Sequence, residues 1–235
     1  LTIFMMFAAR TEASKLNLLK GSPHRWLTKP ILDYISDKGG KLHLNHRVKK
    51  INFKNNEFPE VTGLILTTQE GEVIVKADKY LAACDVPGIQ RLIPKEWRRF
   101  PQFAAIDKLQ TVPVATVQLR YDGWITELKS EEARMNLESP SGLDNLLYTA
   151  DADFSCFTDL ALSSPEDYQK EGLGSLLQCV LTPGDPWITK SVEEIIQHTD
   201  AQVRDLFPSS YSLNLVWGKV VKLAQSLYRE APGME

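Results

Sequence analysis

Residues 41–85 read KLHLNHRVKKINFKNNEFPEVTGLILTTQEGEVIVKADKYLAACD, and their spacing decides the fold class. Leu42 and Leu44 alternate, and Val48, Ile51 and Phe53 follow. NNEFPE then forms a turn before the strand-like VTGLILTT. QEGE is a second turn, and VIVKADKYLAACD has the composition of two further short strands. Parallel neighbours need a crossover connection of a dozen or more residues, and these runs follow too closely for that. The stretch therefore predicts hairpin-joined antiparallel strands. The fold class is α/β in content and mixed (α+β) in arrangement, not a purely parallel doubly wound sheet.

Upstream, residues 2–20 have helical composition and end at Gly21, with Leu16 and Leu19 on one face. Pro30 opens a second helix over ILDYISDKGG, where Ile31, Leu32 and Ile35 make a stripe and Gly39-Gly40 supplies the stop. Downstream, residues 88–99 read as helical and TVPVATVQLRYDGW as a strong strand. SCFTDLAL and SLLQCVLTP read as two more strands. In SVEEIIQHTDAQVRDLF, Ser191 and Glu194 form a capping box and Pro208 ends the helix. LNLVWGKVVKLAQSLY closes as one long strand or two.

The 235 residues are 43% hydrophobic and 24% charged, an ordinary globular mix. A net charge of −3 argues against a general nucleic-acid binder. Cys84, Cys156 and Cys179 are far apart and odd in number, so a reducing compartment is a simpler reading than a disulfide framework. LTIFMMFAAR carries no initiator methionine, and its apolar run is too short to span a bilayer. APGME stops in a Pro-Gly turn. The chain reads as an internal fragment of a longer protein.

Four patches carry candidate chemistry. LLYTADADFSCFTDL (146–160) surrounds Cys156 with Asp151, Asp153 and Asp159. A calcium loop counted from Asp151 would want glycine sixth and an acid twelfth, where Cys156 and Leu162 stand. No histidine is near enough in sequence for zinc, so no metal is expected. Phe154, Cys156 and Thr158 alternate with Ser155, Phe157 and Asp159, as in a strand with one packed face. His43 and His46 would point to opposite faces of a strand, which disfavours shared ligation. SPHRWLTKP (22–30) holds Arg25 and Trp26 between two prolines. Such a stiff loop either presents a guanidinium and an indole to a ligand or sets a surface arginine beside a packed tryptophan. In KADKYLAACDVPG (76–88), Ala82 and Ala83 at a strand end let a ligand approach the backbone, or simply pack. No G-x-G-x-x-G, G-x-x-x-x-G-K-[ST] or G-x-S-x-G is present, so the chain holds no complete nucleotide-binding loop.

The order helix, Gly-Gly, strand with V-x-x-I, hairpin, then A-D-x-x-x-x-A resembles the middle of FAD-dependent oxidoreductases of the amine-oxidase and phytoene-desaturase superfamily. Longer words, among them FAARTEASKLNLLKGSP, YLAACDVPGIQRLIPKEWR, VPVATVQLRYDGWITEL and GLDNLLYTADADFSCFTDLAL, resemble the zeta-carotene desaturase family of oxygenic phototrophs. That resemblance implies a two-domain enzyme with a Rossmann-like FAD domain, incomplete here, and a substrate domain of mixed sheet and helices. It assigns 1–21 to a helical segment contacting substrate or membrane, 22–93 to the FAD domain, 94–228 to the substrate domain and 229–235 to the return toward the flavin. It implies FAD at the backbone of Val48 and against Ala82 and Ala83, and substrate or quinone at Arg25 and Trp26. Tyr148, Phe154 and Phe157 would line the carotene cavity. The implied reaction takes zeta-carotene through neurosporene toward poly-cis lycopene, with plastoquinone as the final acceptor, on a plastid or cyanobacterial membrane surface. A phytoene desaturase or carotene isomerase of the same superfamily, or a non-catalytic pigment- or lipid-binding protein, are the alternatives.

Overall fold

Proline and glycine bound the first helix as the sequence predicts. A π-helical turn over His24–Thr28 runs directly into α1, Lys29–Asp37. Gly39 at φ +78° ends it, a left-handed conformation that glycine adopts without strain. The structure, a computed structural model, describes residues 21–126 and 145–229 together with 9, 18 and 19. The helix expected over 2–20, its LTIFMMF start and the 230–235 return lie outside the described residues.

The chain divides into two compact units. One joins residues 1–35 to 114–223, and the other joins 36–113 to 224–235.

In the second unit, β1 (Arg47–Lys54), β2 (Glu60–Thr68) and β3 (Gly71–Val75) form an antiparallel sheet in sequence order. This is the hairpin arrangement that the spacing of 41–85 requires. Two expectations fail locally. Residues 41–46 form no strand, because Asn45 takes φ 59° and turns the chain before Arg47. VIVKADKYLAACD yields one strand instead of two: beyond β3 the Ala77 N–H is taken by the Tyr80 hydroxyl at 2.8 Å, not by a ladder carbonyl. Ile51, Ile93 and Trp97 are the buried centre of this unit, with Phe53 edge-on to Trp97 at 5.3 Å. The helical reading of 88–99 becomes α2 (Val86–Leu92) and a 3-10 turn over Lys95–Arg99, divided at Pro94, followed by α3 (Pro101–Ile106).

A second sheet, most of it within the first unit, has the order β5-β6-β7-β4-β8 and is built from β4 (Thr111–Tyr121), β5 (Leu147–Tyr148), β6 (Phe154–Asp159), β7 (Leu176–Leu181) and β8 (Leu215–Tyr228). LNLVWGKVVKLAQSLY is thus one long strand. SCFTDLAL is strand only to Asp159, whose carboxylate accepts from the Ala161 N–H (3.0 Å) and starts a helical turn over Leu160–Ser163. One sheet face buries Ala115, Val117, Leu119, Tyr121, Leu177, Cys179 and Leu181. Against it lies α4 (Val192–Leu206), opened by the Ser191–Glu194 capping box and burying Ile195, Thr199 and Val203 at four-residue intervals. Each fully buried aliphatic side chain of this kind contributes about 1.5–3 kcal/mol.

Candidate functional site

The V-x-x-I motif owes its geometry to an irregularity in β1. Val48 pairs with Leu66 and Lys50 with Ile65, so Lys49 is an extra residue in the ladder. That bulge turns Val48 to the same face as Ile51, which pairs with Leu64 two residues along β2. Ile51 enters the core, and Val48 stays half-buried at the rim. Val48 lines an open cavity of about 560 Å³ with Arg47, Lys49 and Thr67 on the hairpin, and Cys84, Gly88, Arg91 and Leu92 across from them. Asp85 fixes the far wall by accepting from the Gly88 N–H at 2.8 Å. Lys49 pairs with Glu72. Arg47 and Arg91 give the cavity a positive lining that favours an anionic, hydrogen-bonding ligand. Ala82 and Ala83 adjoin the wall at Cys84; both are exposed, in irregular backbone instead of at a strand end.

Arg25 and Trp26 lie in the π-helical turn, and neither is packed away: Trp26 keeps 47% of its surface. The Arg25 guanidinium sits over the indole ring, 5.2 Å from its centroid. Its Nη1 donates to Glu166 Oε2 at 2.7 Å and lies 3.6 Å from Asp167 Oδ1. Of the two readings left open by the sequence, the structure thus gives an exposed guanidinium stacked on an exposed indole, held by carboxylates 141 and 142 positions away.

The aromatic residues of 146–160 divide. Tyr148 is 69% exposed on β5. Phe154 and Phe157 are both buried in the core, edge-on to each other at 5.5 Å, with Phe157 edge-on to Phe207 at 5.9 Å. Simple alternation would separate them, but a register shift between Phe154 and Cys156 makes Ser155 an extra residue and returns both rings to one face. Both are packing residues of this unit's core. Cys156 sits on the strand with its thiol pushed up by burial, which leaves it a poor nucleophile.

His43 and His46 depart from their expected geometry. They flank the turn at Asn45, outside any strand, and their rings lie 5.2 Å apart. Among the described residues, no group of three or more His, Cys, Asp or Glu is arranged to hold a metal ion.

Sequence reasoning missed Glu166, Asp167 and Arg120. Arg120 is buried at the end of β4 and donates from Nη1 to the Gly174 carbonyl (2.9 Å) and from Nη2 to the Tyr168 carbonyl (2.7 Å). Burial lowers its pKa, and the field of Asp159 opposes that shift. Asp159, also buried, has its pKa raised by burial. An arginine between Leu119 and Tyr121, at the end of the strand-like TVQLRY, was the available signal for such an anchor. Nothing in the chain near Arg25 announces carboxylate partners in SPEDY.

The chain is 64% identical over its whole length to a Synechococcus elongatus protein named "Probable zeta-carotene desaturase", covering 49% of that protein. It is 57% identical to the chloroplastic/chromoplastic zeta-carotene desaturase of Zea mays, over 99% of this chain and 41% of that one. Identity falls to 31% with the 15-cis-phytoene desaturase of Glycine max, over 97% and 37%. The chain thus spans about half or less of the length of the curated relatives it matches. A solved oxidoreductase from Methanosarcina mazei shares the fold, with a TM-score of 0.62 at 18% identity over 90% of this chain and 45% of that one. The family profile described as flavin containing amine oxidoreductase matches residues 14–235, so the chain belongs to the flavin-containing amine oxidoreductase family.

Proposed function

We propose that this chain forms part of a flavin-dependent carotene desaturase that converts zeta-carotene through neurosporene to poly-cis lycopene. The observation that carries this reading is the identity to zeta-carotene desaturases, sustained along the whole chain and about twice that to a phytoene desaturase.

The chemistry fits what the residues offer. Each desaturation removes a hydride and a proton from a saturated C–C unit of a hydrocarbon. Such a substrate has no carbonyl or phosphate to polarise, so no triad or metal cluster is called for. When bound, FAD supplies the two-electron, hydride-accepting chemistry. Val48, at the rim of the positively lined cavity, and the exposed backbone at Ala82 and Ala83 are the residues of this chain that would hold it. Arg47 and Arg91 suit the negative charge of a dinucleotide. In this reading residues 36–113 serve the cofactor, and the sheet of 114–223, with the 22–35 segment, serves the substrate.

Arg25 and Trp26 are assigned to the electron acceptor. A carotene has no hydrogen-bond acceptor, whereas a quinone has two carbonyl oxygens that a guanidinium can address. The quinone, plastoquinone in a phototroph, takes two electrons and two protons and leaves as the quinol. Tyr148 is assigned to the carotene path. Carotene and quinone both partition into the bilayer, which places the protein peripherally on a plastid or cyanobacterial membrane. Among the described residues, no helix is long and apolar enough to cross a membrane.

The test is expression of the full-length protein in a host that accumulates zeta-carotene, followed by absorption spectroscopy of the extracted pigment. The expected result is a red shift to lycopene-type bands. An unshifted spectrum from folded, flavin-loaded protein with quinone available would overturn the assignment, and a shift only in a phytoene-accumulating host would move it to a phytoene desaturase.

A further inference from the structure

Arg25 is held by an assembly drawn from distant parts of the chain. The single helical turn Pro165–Tyr168 carries Glu166 and Asp167 side by side. Glu166 Oε2 accepts from Arg25 Nη1 at 2.7 Å. Asp167 Oδ2 accepts from the Ser22 N–H at 2.6 Å, and the Ser22 hydroxyl accepts from the Arg25 N–H at 3.3 Å. Ser164, at the start of the turn, donates its hydroxyl to the Leu19 carbonyl at 3.3 Å. Gly21 is where these parts close on one another: a Cβ there would run into Asp167 Oδ2 and the Trp26 indole. From beneath, the buried Arg120 holds the turn through the Tyr168 carbonyl.

An exposed ion pair between two free side chains is worth about 0–1 kcal/mol. Here the segments carrying both ends are tied by other bonds, so the pair matters for where it puts the guanidinium. Both carboxylates address the same nitrogen, Nη1. Among the described residues, Nη2 and Nε are left open.

We infer that Glu166 and Asp167 are positioning residues for Arg25, holding Nη1 so that the rest of the guanidinium faces the carbonyl oxygen of a quinone. The inference rests on the assignment of Arg25 to the electron acceptor. The carboxylates touch neither substrate. Their removal loosens one interaction with the acceptor and leaves the carotene site and the flavin unaltered.

The experiment is steady-state kinetics of the full-length, flavin-loaded enzyme with zeta-carotene and decyl-plastoquinone. The variants are Arg25→Ser, Glu166→Gln, Asp167→Asn, Glu166→Asp and the double variant Arg25→Ser/Glu166→Gln. Glu166→Gln is expected to raise the quinone KM about tenfold, with kcat at saturating quinone and the carotene KM within about twofold of the parent. Glu166→Asp should recover part of the loss. The double variant should be no worse than Arg25→Ser alone, since the two residues act as one unit. An additive double variant, an unmoved quinone KM in Glu166→Gln, or equal changes in both KM values would overturn the inference. An unmoved quinone KM in Arg25→Ser itself would overturn the assignment of Arg25, and the inference with it. A raised quinone KM in Arg25→Ser with parental Glu166→Gln and Asp167→Asn would overturn the inference alone. Should a carboxylate variant lose flavin or melt early, Arg25→Lys supplies the second reading: held by the same carboxylates but lacking the fork, it is expected to raise only the quinone KM. A parental quinone KM in Arg25→Lys would overturn positioning of the fork.

Discussion

Tyr121→Phe removes one oxygen from the interior of the larger sheet and tests how its polar core is held. Tyr121 is fully buried, and its hydroxyl donates to Asp200 Oδ1 at 2.6 Å. The other Asp200 oxygen accepts from Arg204 Nε at 2.9 Å, and Arg204 Nη1 donates to the Ser210 and Leu213 carbonyls at 2.7 and 3.1 Å. The substitution leaves the ring, the ion pair and both carbonyl bonds in place. What is lost is one hydrogen bond to a charged acceptor, about 1.5–3 kcal/mol. Urea unfolding of the full-length protein, followed by tryptophan fluorescence, measures it.

The same residue gives a pH signature. Burial, and then the bond to Asp200, raise the Tyr121 pKa well above its ordinary value. The folded protein therefore holds this proton after the unfolded chain begins to release it. The stability contributed is complete below the unfolded pKa of about 10 and is lost progressively as pH rises from there toward the higher folded value, by about 1.4 kcal/mol per pH unit. Phenylalanine has no such proton, so the deficit of Tyr121→Phe should be constant from pH 7 to 9 and should narrow above pH 10. A deficit under about 0.5 kcal/mol at pH 7, or one unchanged at pH 11, would refute the reasoning.

Three further outcomes follow from single contacts. Gly174→Ala should abolish or severely weaken folding, because a Cβ at that site would overlap the Gly123 backbone where Ser175 donates to the Gly123 carbonyl; soluble yield and thermal melting measure this. Phe157→Ala should cost about 3–5 kcal/mol, as for a buried aromatic side chain, and change carotene KM little; a large KM effect in stable protein would put Phe157 back on the substrate path. Arg91→Glu in the full-length protein should lower flavin absorbance per protein without lowering the melting point of the apoprotein, and unchanged flavin content would remove the cavity beside Val48 from the cofactor site.

What the sequence made legible was whatever rests on local chemistry. The capping box at Ser191 and Glu194 sits where it was read, because both bonds close within four residues. The stop at Gly39 and the hairpins of 47–75 are equally local. The acidic partners of Arg25 were not legible, since a carboxylate at position 166 is as consistent with solvent as with an arginine 141 residues away. Arg120 was half legible. A cation buried in a strand must find acceptors, but the sequence does not say that they are the carbonyls of Gly174 and Tyr168.

The instructive errors share one spacing. A strand alternates with period two, so residues three apart should face opposite ways, and that rule was applied to His43 and His46 and to Phe154 and Phe157. It fails at each for a backbone reason. Asn45 at φ 59° turns the chain between the histidines and brings their rings within contact range. The extra residue at Ser155 restores both phenylalanines to the core. The same device at Lys49 sets Val48 and Ile51 on one face, so that the isoleucine anchors the core while the valine stays at the cavity rim. A bulge costs ladder hydrogen bonds and persists where it re-aims a side chain. V-x-x-I is therefore a motif of spacing three because the strand carrying it is irregular: a regular strand with that spacing would turn Val48 away from the cavity, whereas deleting Lys49 would shorten the spacing to two and keep Val48 and Ile51 on one face.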